Sequence, residues 1–153
     1  MLLSLLACGV PEFSIDGKVD GLSFPSVGAA FYGGPYIVFA AQELECMDVA
    51  FIDRNYREGE APTELDVTLL QITYLDGTDV SDGFYSVEGE AAISAKLLHT
   101  ADGAFTQHRA DAGTVEVEPF EYEDIVGGTL DLTFDDGSLK STWYAEWCLN
   151  LEE

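Results

Sequence analysis

The sequence predicts an all-β domain, an antiparallel β-sandwich or flattened barrel of about 8–10 strands with at most one short helix. Three observations predict it. Short runs of β-branched and aromatic residues recur at roughly 8–12-residue spacing. Clusters of Gly, Pro, Asp and Ser separate them. Only one stretch, residues 44–52 (LECMDVAFI), carries apolar residues at helical spacing: Leu44, Met47 and Phe51.

In chain order, strands are predicted at 19–24, 27–32, 36–41, 66–75, 84–88, 91–99, 105–109, 113–119, 128–134 and 138–149. Alternation is clearest late in the chain. Leu130, Leu132 and Phe134 share one face while Thr129, Asp131 and Thr133 share the other, the period-2 mark of a half-buried strand. Asp135-Asp136-Gly137 supplies a turn, and Leu139, Ser141, Trp143, Ala145 and Trp147 continue the inward face on the returning strand. Ala101-Asp102-Gly103-Ala104 marks a second hairpin. The helix over 44–52 is two turns at most, and Arg54–Glu64 (RNYREGEAPTE) reads as the longest loop.

The 153 residues fit one domain large enough to bury a real core. With 47% hydrophobic and 12% aromatic residues, the composition is that of a folded chain and not an acidic disordered tail. Charge is the extreme feature. Twenty-nine Asp and Glu face six Lys and Arg, a formal charge of −23. Such a field repels phosphate backbones and anionic head groups, which argues against nucleic acid as a partner and leaves cations as the ionic partners it favours. A solvated, non-aggregating surface accounts for most of these acids.

Leu5-Leu6-Ala7-Cys8 ends an N-terminal apolar run and resembles the lipobox of bacterial lipoproteins. The resemblance implies cleavage before Cys8 and lipid attachment at its sulfur. It divides the chain into a signal-peptide remnant at 1–7, a lipid-attached tether at 8–17 and a single β-domain at 18–153. No later apolar run approaches the ~20 residues of a spanning helix, so the expected membrane contact is the lipid anchor alone. Gly9 differs from the aspartate that resembles an inner-membrane retention signal, which favours an outer-membrane lipoprotein facing periplasm or exterior.

A wider similarity rests on Gly17-Lys-Val-Asp-Gly21, Cys46, Gly113-Thr-Val-Glu-Val117, and the run from Gly128 through Leu139 to Ala145-Glu-Trp-Cys148. These segments are similar to small, uncharacterised bacterial lipoproteins with a lipobox, an all-β body and a cysteine near each end of it. The resemblance implies a fold and a location and brings no activity. Taking Cys8 for lipid leaves Cys46 and Cys148. An oxidising location, together with the resemblance, predicts a disulfide between them, against the alternative of two buried thiols.

Motifs that carry chemistry are scarce. No nucleophile elbow, zinc-protease helix, phosphate loop, Cys-x-x-Cys or EF-hand loop occurs. If Asp102-Gly103 is a two-residue turn, His99 pairs with Thr106 and His108 lies diagonally on the same face. Two imidazoles still lack a third ligand, and ordinary hydrogen-bonded histidines are the plainer reading. Asp76, Asp79 and Asp82 crowd one loop, where clustered oxygens suit calcium, but Asp is equally what turns demand. They stand as weak metal candidates, with no metal or cofactor expected. Trp143, Tyr144 and Trp147, with Tyr32 and Tyr36, offer material for an aromatic platform. Core packing is expected for Trp143 and Trp147, while Tyr144, on the opposite face, is the weak candidate for a ligand contact. Glu116 and Glu118 are read as solvent-facing strand residues and not as a glycosidase pair.

The functional expectation is a non-catalytic, lipid-anchored cell-envelope β-domain acting as a binding or structural module. The competing expectations are a small-ligand carrier with a β-barrel cavity and, behind it, a carbohydrate-active enzyme. Large inward residues such as Phe39, Leu69, Phe134 and Trp147 would plug a barrel, whereas an apolar void would favour the carrier.

Overall fold

The computed structural model describes residues 11–59, 65–88, 92–119 and 124–152. Cys8 and the first residues of the expected tether lie outside them. The described chain folds into eleven strands and one α-helix: β1 (Ile15–Val19), β2 (Leu22–Phe24), β3 (Ala29–Gly33), β4 (Tyr36–Ala40), α1 (Cys46–Arg57), β5 (Val67–Tyr74), β6 (Gly83–Ser86), β7 (Ile93–Ala101), β8 (Ala104–Arg109), β9 (Ala112–Pro119), β10 (Ile125–Phe134) and β11 (Gly137–Trp147). A 3-10 turn, Leu149–Glu152, follows β11.

All strands join one curled sheet, a half-barrel, in the order β6-β9-β10-β11-β3-β4-β5-β7-β8, with β1 and β2 branching from β11. The expected all-β class therefore holds, and of the two expected forms the curled sheet is nearer the flattened barrel. One pairing departs from the antiparallel rule. β11 meets β3 in parallel, and only through Glu146↔Phe31 and Trp147↔Tyr32, because its opposite end is already paired to β1 from Lys140↔Asp16 to Gly137↔Val19. A long strand thus serves two branches with its two ends. The curl brings the far strand β8 back toward β11: His108 Nε2 lies 3.5 Å from Asp20 at the β1–β2 turn, and its Nδ1 lies 4.0 Å from Asp136 at the β10–β11 turn.

The stretch read as one strand at 19–24 is a hairpin. Asp20 (φ 49°) and Gly21 (φ 77°) take the left-handed conformations that a tight two-residue turn requires, and Asp-Gly is the sequence signal for it. The same pair at Asp102 and Gly103 makes the predicted β7–β8 hairpin, with His99 opposite Thr106. Within residues 8–17, Phe13 already packs edge-on against Phe39 at 5.9 Å between centroids, and Ile15 opens β1.

Two apolar clusters hold the sheet. Inside the curl lie Phe24, Phe39, Ile72, Leu97, Leu130, Phe134 and Trp143 with their neighbours. On the outer face, Val49, Ile52 and Tyr56 of α1 cover Val38, Leu69 and Leu98. β5, covered on both faces, is buried along almost its whole length, with Gln71 as a buried polar residue among its apolar ones.

The helix corrects two expectations. It spans twelve residues, three turns, and takes in the start of the predicted loop. Its buried face is Val49, Ala50, Ile52, Asp53 and Tyr56, while Met47 and Phe51 point to solvent at 70% and 62% exposure. The reason is polar. Asp53, fully buried, accepts a hydrogen bond from the Gln71 amide and pairs with Arg57 Nε at 3.0 Å, one turn on. Arg57 also lies over the Tyr36 ring, 4.2 Å from its centroid, and donates to the Tyr36 hydroxyl at 2.9 Å. Arg54 and Arg57 complement the negative end of the helix dipole, which carries the helix past residue 52.

Candidate functional site

Four connections converge at one end of the half-barrel: the β3–β4 turn, the long β5–β6 loop, the residue leading into β10, and the end of β11. They line a pocket of about 300 Å³ with Tyr32, Gly33, Gly34, Asp79, Val80, Asp124 and Trp147. The parallel register sets Tyr32 beside Trp147. Backbone bonds fix the walls. Val80 N–H donates to Gly34 O at 2.8 Å, tying the loop to the turn, and Trp147 N–H donates to Asp124 O at 2.8 Å. Of its acidic residues, Asp79 lines it from the β5–β6 loop and Asp124 from the position before β10. Asp124 has φ 66°, a left-handed conformation that a non-glycine residue adopts at some cost. Burial, and then the negative charge of Asp124, push the Tyr32 hydroxyl above its ordinary value.

Trp147 corrects the expectation that it belongs to the core. Its position along β11 has inward parity, as Trp143 and Ala145 do, but the strand runs past the edge of the curl and leaves it 41% exposed. Trp143 is fully buried, edge-on to Phe39 at 5.6 Å. Tyr144 is half-buried, its ring 6.1 Å from that of Phe13 in an edge contact. It stands apart from the pocket residues.

The three loop aspartates have separate local surroundings. Asp76 Oδ1 accepts from Thr78 N–H at 3.0 Å and Thr78 Oγ1 at 2.7 Å, a turn that holds its carboxyl below the usual range. Asp79 lines the pocket. Asp82 gives its backbone carbonyl to the Tyr85 hydroxyl. Among the described residues, no three His, Cys, Asp or Glu side chains converge as a metal site would need. The histidines also part: His99 Nδ1 meets Thr68 Oγ1 at 2.8 Å, while His108 faces Asp20 and Asp136. Glu116 sits opposite Thr129 on the exposed face of the β9–β10 ladder.

The predicted Cys46–Cys148 disulfide is formed, its Cα atoms 5.7 Å apart. It fastens the start of α1 to the end of β11, one residue beyond Trp147. Sequence reading had Tyr32 and Trp147 among its aromatic candidates and Asp79 among its acids, but placed them at unrelated sites. Asp124 was missed, since nothing local distinguishes it among so many acids. Compared with known proteins, the chain matches no family model, no curated protein and no solved structure.

Proposed function

We propose that the chain is a non-catalytic, lipid-anchored binding module of a bacterial cell envelope, held at the outer membrane through Cys8. The observation that carries the binding role is the Tyr32–Trp147 pocket, where two aromatic residues and two acidic residues from four separate segments line one space. Loops positioned by a rigid sheet are where binding residues concentrate. A module is favoured over a barrel carrier because Phe39, Phe134 and Trp143 fill the inside of the curl. The lipobox-like Leu5-Leu6-Ala7-Cys8 supports the anchor. The Cys46–Cys148 bond supports an exported location, since disulfides persist in oxidising compartments.

The test has two arms in a bacterium expressing the chain with its native start. A fatty-acid probe should label the protein, and Cys8→Ser should abolish the label. Labelling that survives this change overturns the anchor. A photoreactive residue at Trp147 should give discrete crosslinks, while one at exposed Thr142 should not. Equal patterns at the two positions overturn the pocket as the binding surface.

A further inference from the structure

We infer that the Tyr32–Trp147 pocket takes a small organic ammonium, and this inference rests on the binding role proposed for the same pocket. Two aromatic side chains and two carboxylates line it: Tyr32 and Trp147, Asp79 and Asp124. Aromatic faces attract a cation through their negative quadrupole, Trp most strongly, and the attraction grows as the cation is desolvated. Carboxylates beside the rings add charge complementarity that a neutral sugar could not use. The rest of the lining, Gly33, Gly34 and Val80, offers no cationic side chain with which to hold an anion. The whole-chain charge of −23 raises the local concentration of cations and disfavours phosphate or carboxylate ligands.

Size narrows the class. A space of about 300 Å³ suits a head group of the scale of choline and is at the lower limit of small-molecule pockets. Tyr32, like any phenol near neutral pH, carries a hydroxyl hydrogen-bond donor and acceptor at the pocket. An alkylammonium ligand bearing a hydroxyl can use both the rings and this polar group.

Trp147 is itself the reporter, because it is 41% exposed while Trp143, the other tryptophan, is fully buried. The folded chain is titrated with choline chloride, with its uncharged carbon isostere 3,3-dimethylbutan-1-ol, and with D-glucose, at constant ionic strength. Choline should change the fluorescence saturably and the isostere should not. Asp124→Asn and Asp79→Asn should each weaken choline by about twofold to fivefold, the scale of a solvent-exposed charge acting on a bound cation. Trp147→Ala, followed by calorimetry, should abolish binding, and Trp147→Phe should retain part of it. Unchanged near-ultraviolet dichroism certifies each variant as folded. Equal binding of choline and its isostere, or Asp variants that bind choline as the native chain does, overturns the ammonium assignment. Glucose binding without choline binding overturns it too and leaves the binding role standing. If none of the three ligands perturbs Trp147, the ammonium assignment falls. The crosslinking arm above then decides the binding role by itself. Vesicles of phosphatidylcholine, compared with free choline, separate a lipid head group from a soluble ligand as its source.

Discussion

Cys46, the first residue of α1, is bonded to Cys148, the residue that follows β11, across a sequence separation of 102. The only α-helix among the described residues is thereby pinned at its N-terminus to the last strand of the sheet. On the chain-entropy account, closing a loop of this size stabilises by about 4–5 kcal/mol. Cys46→Ser with Cys148→Ser should lower stability by about 2–5 kcal/mol, read as an earlier urea midpoint with a steeper slope, since the unfolded chain without the bond is less compact. Hydrogen exchange should accelerate first in residues 46–57. Two reactive thiols per mature, denatured, unreduced chain from the periplasm would show that the bond does not form in the cell.

A second prediction concerns Asp53. Burial pushes its carboxyl above the ordinary value, against the opposing pull of Arg57 and the Gln71 hydrogen bond. An acid raised on folding binds its proton more tightly in the native state than in the unfolded chain. Its contribution to stability is therefore greatest below the unfolded value of about 3.9 and falls as pH rises through the folded value. Asp53→Asn removes that dependence and keeps an acceptor for Gln71. The native chain should lose stability relative to the variant as pH climbs from about 4 toward neutrality. Urea curves at several pH values check it, and parallel slopes would show that the buried carboxylate is compensated by Arg57.

How much of this was legible in the sequence depends on the range over which each signal acts. The hairpins at Asp102-Gly103 and Asp135-Asp136 were readable because turn chemistry is local, as was the alternation of Leu130, Leu132 and Phe134. Asp20-Gly21 carries the same signal, but the strands it joins, β1 and β2, are so short that the stretch 19–24 reads as one. The rotation of α1 was not readable. Leu44, Met47 and Phe51 have helical spacing, yet the face that packs is chosen by Asp53, Gln71 and the Cys46 bond, all long-range partners. The pocket failed for the same reason: Tyr32, Asp79, Asp124 and Trp147 meet only because β11 reaches β3 in a parallel pairing that no local pattern announces.

The inner core yields a third prediction. Trp143 is fully buried against Phe39, and its indole Nε1 has no hydrogen-bond partner among the described residues. An unpartnered buried N–H costs about 1–3 kcal/mol, which partly offsets what the ring gains by burial. Trp143→Phe should therefore be mild, losing less than about 1.5 kcal/mol, because it removes the orphan donor along with some area. Trp143→Ala should lose about 3–5 kcal/mol through the cavity it leaves. Chemical denaturation of both variants gives the comparison. A Phe variant as unstable as the Ala variant would mean that shape, not the polar atom, dominates the site.

The last prediction follows from the acids where the curl nearly closes. Asp111 follows β8 closely, and Asp135 lies in the β10–β11 turn. Asp111 N–H donates to Thr133 O at 2.8 Å, which holds the two segments together. A hydrogen bond shared with Asp135, and then the charge of Asp135, push the Asp111 carboxyl above its ordinary value. Asp20 and Asp136 crowd the same region around His108. Folding thus gathers like charges that the unfolded chain keeps apart, within a molecule already at −23. Repulsion of this kind is screened once the Debye length falls below the spacing of the charges, from about 10 Å at 0.1 M salt to about 3 Å at 1 M. The thermal midpoint should rise as sodium chloride increases across that range. The gain should be smaller at pH 4 than at pH 7, because protonation removes part of the charge that salt screens. Asp135→Asn should shrink the gain at neutral pH, since it removes one of the crowded charges while keeping a hydrogen-bonding side chain. A midpoint flat in salt at both pH values would show that these carboxylates are dispersed enough for water alone to separate them.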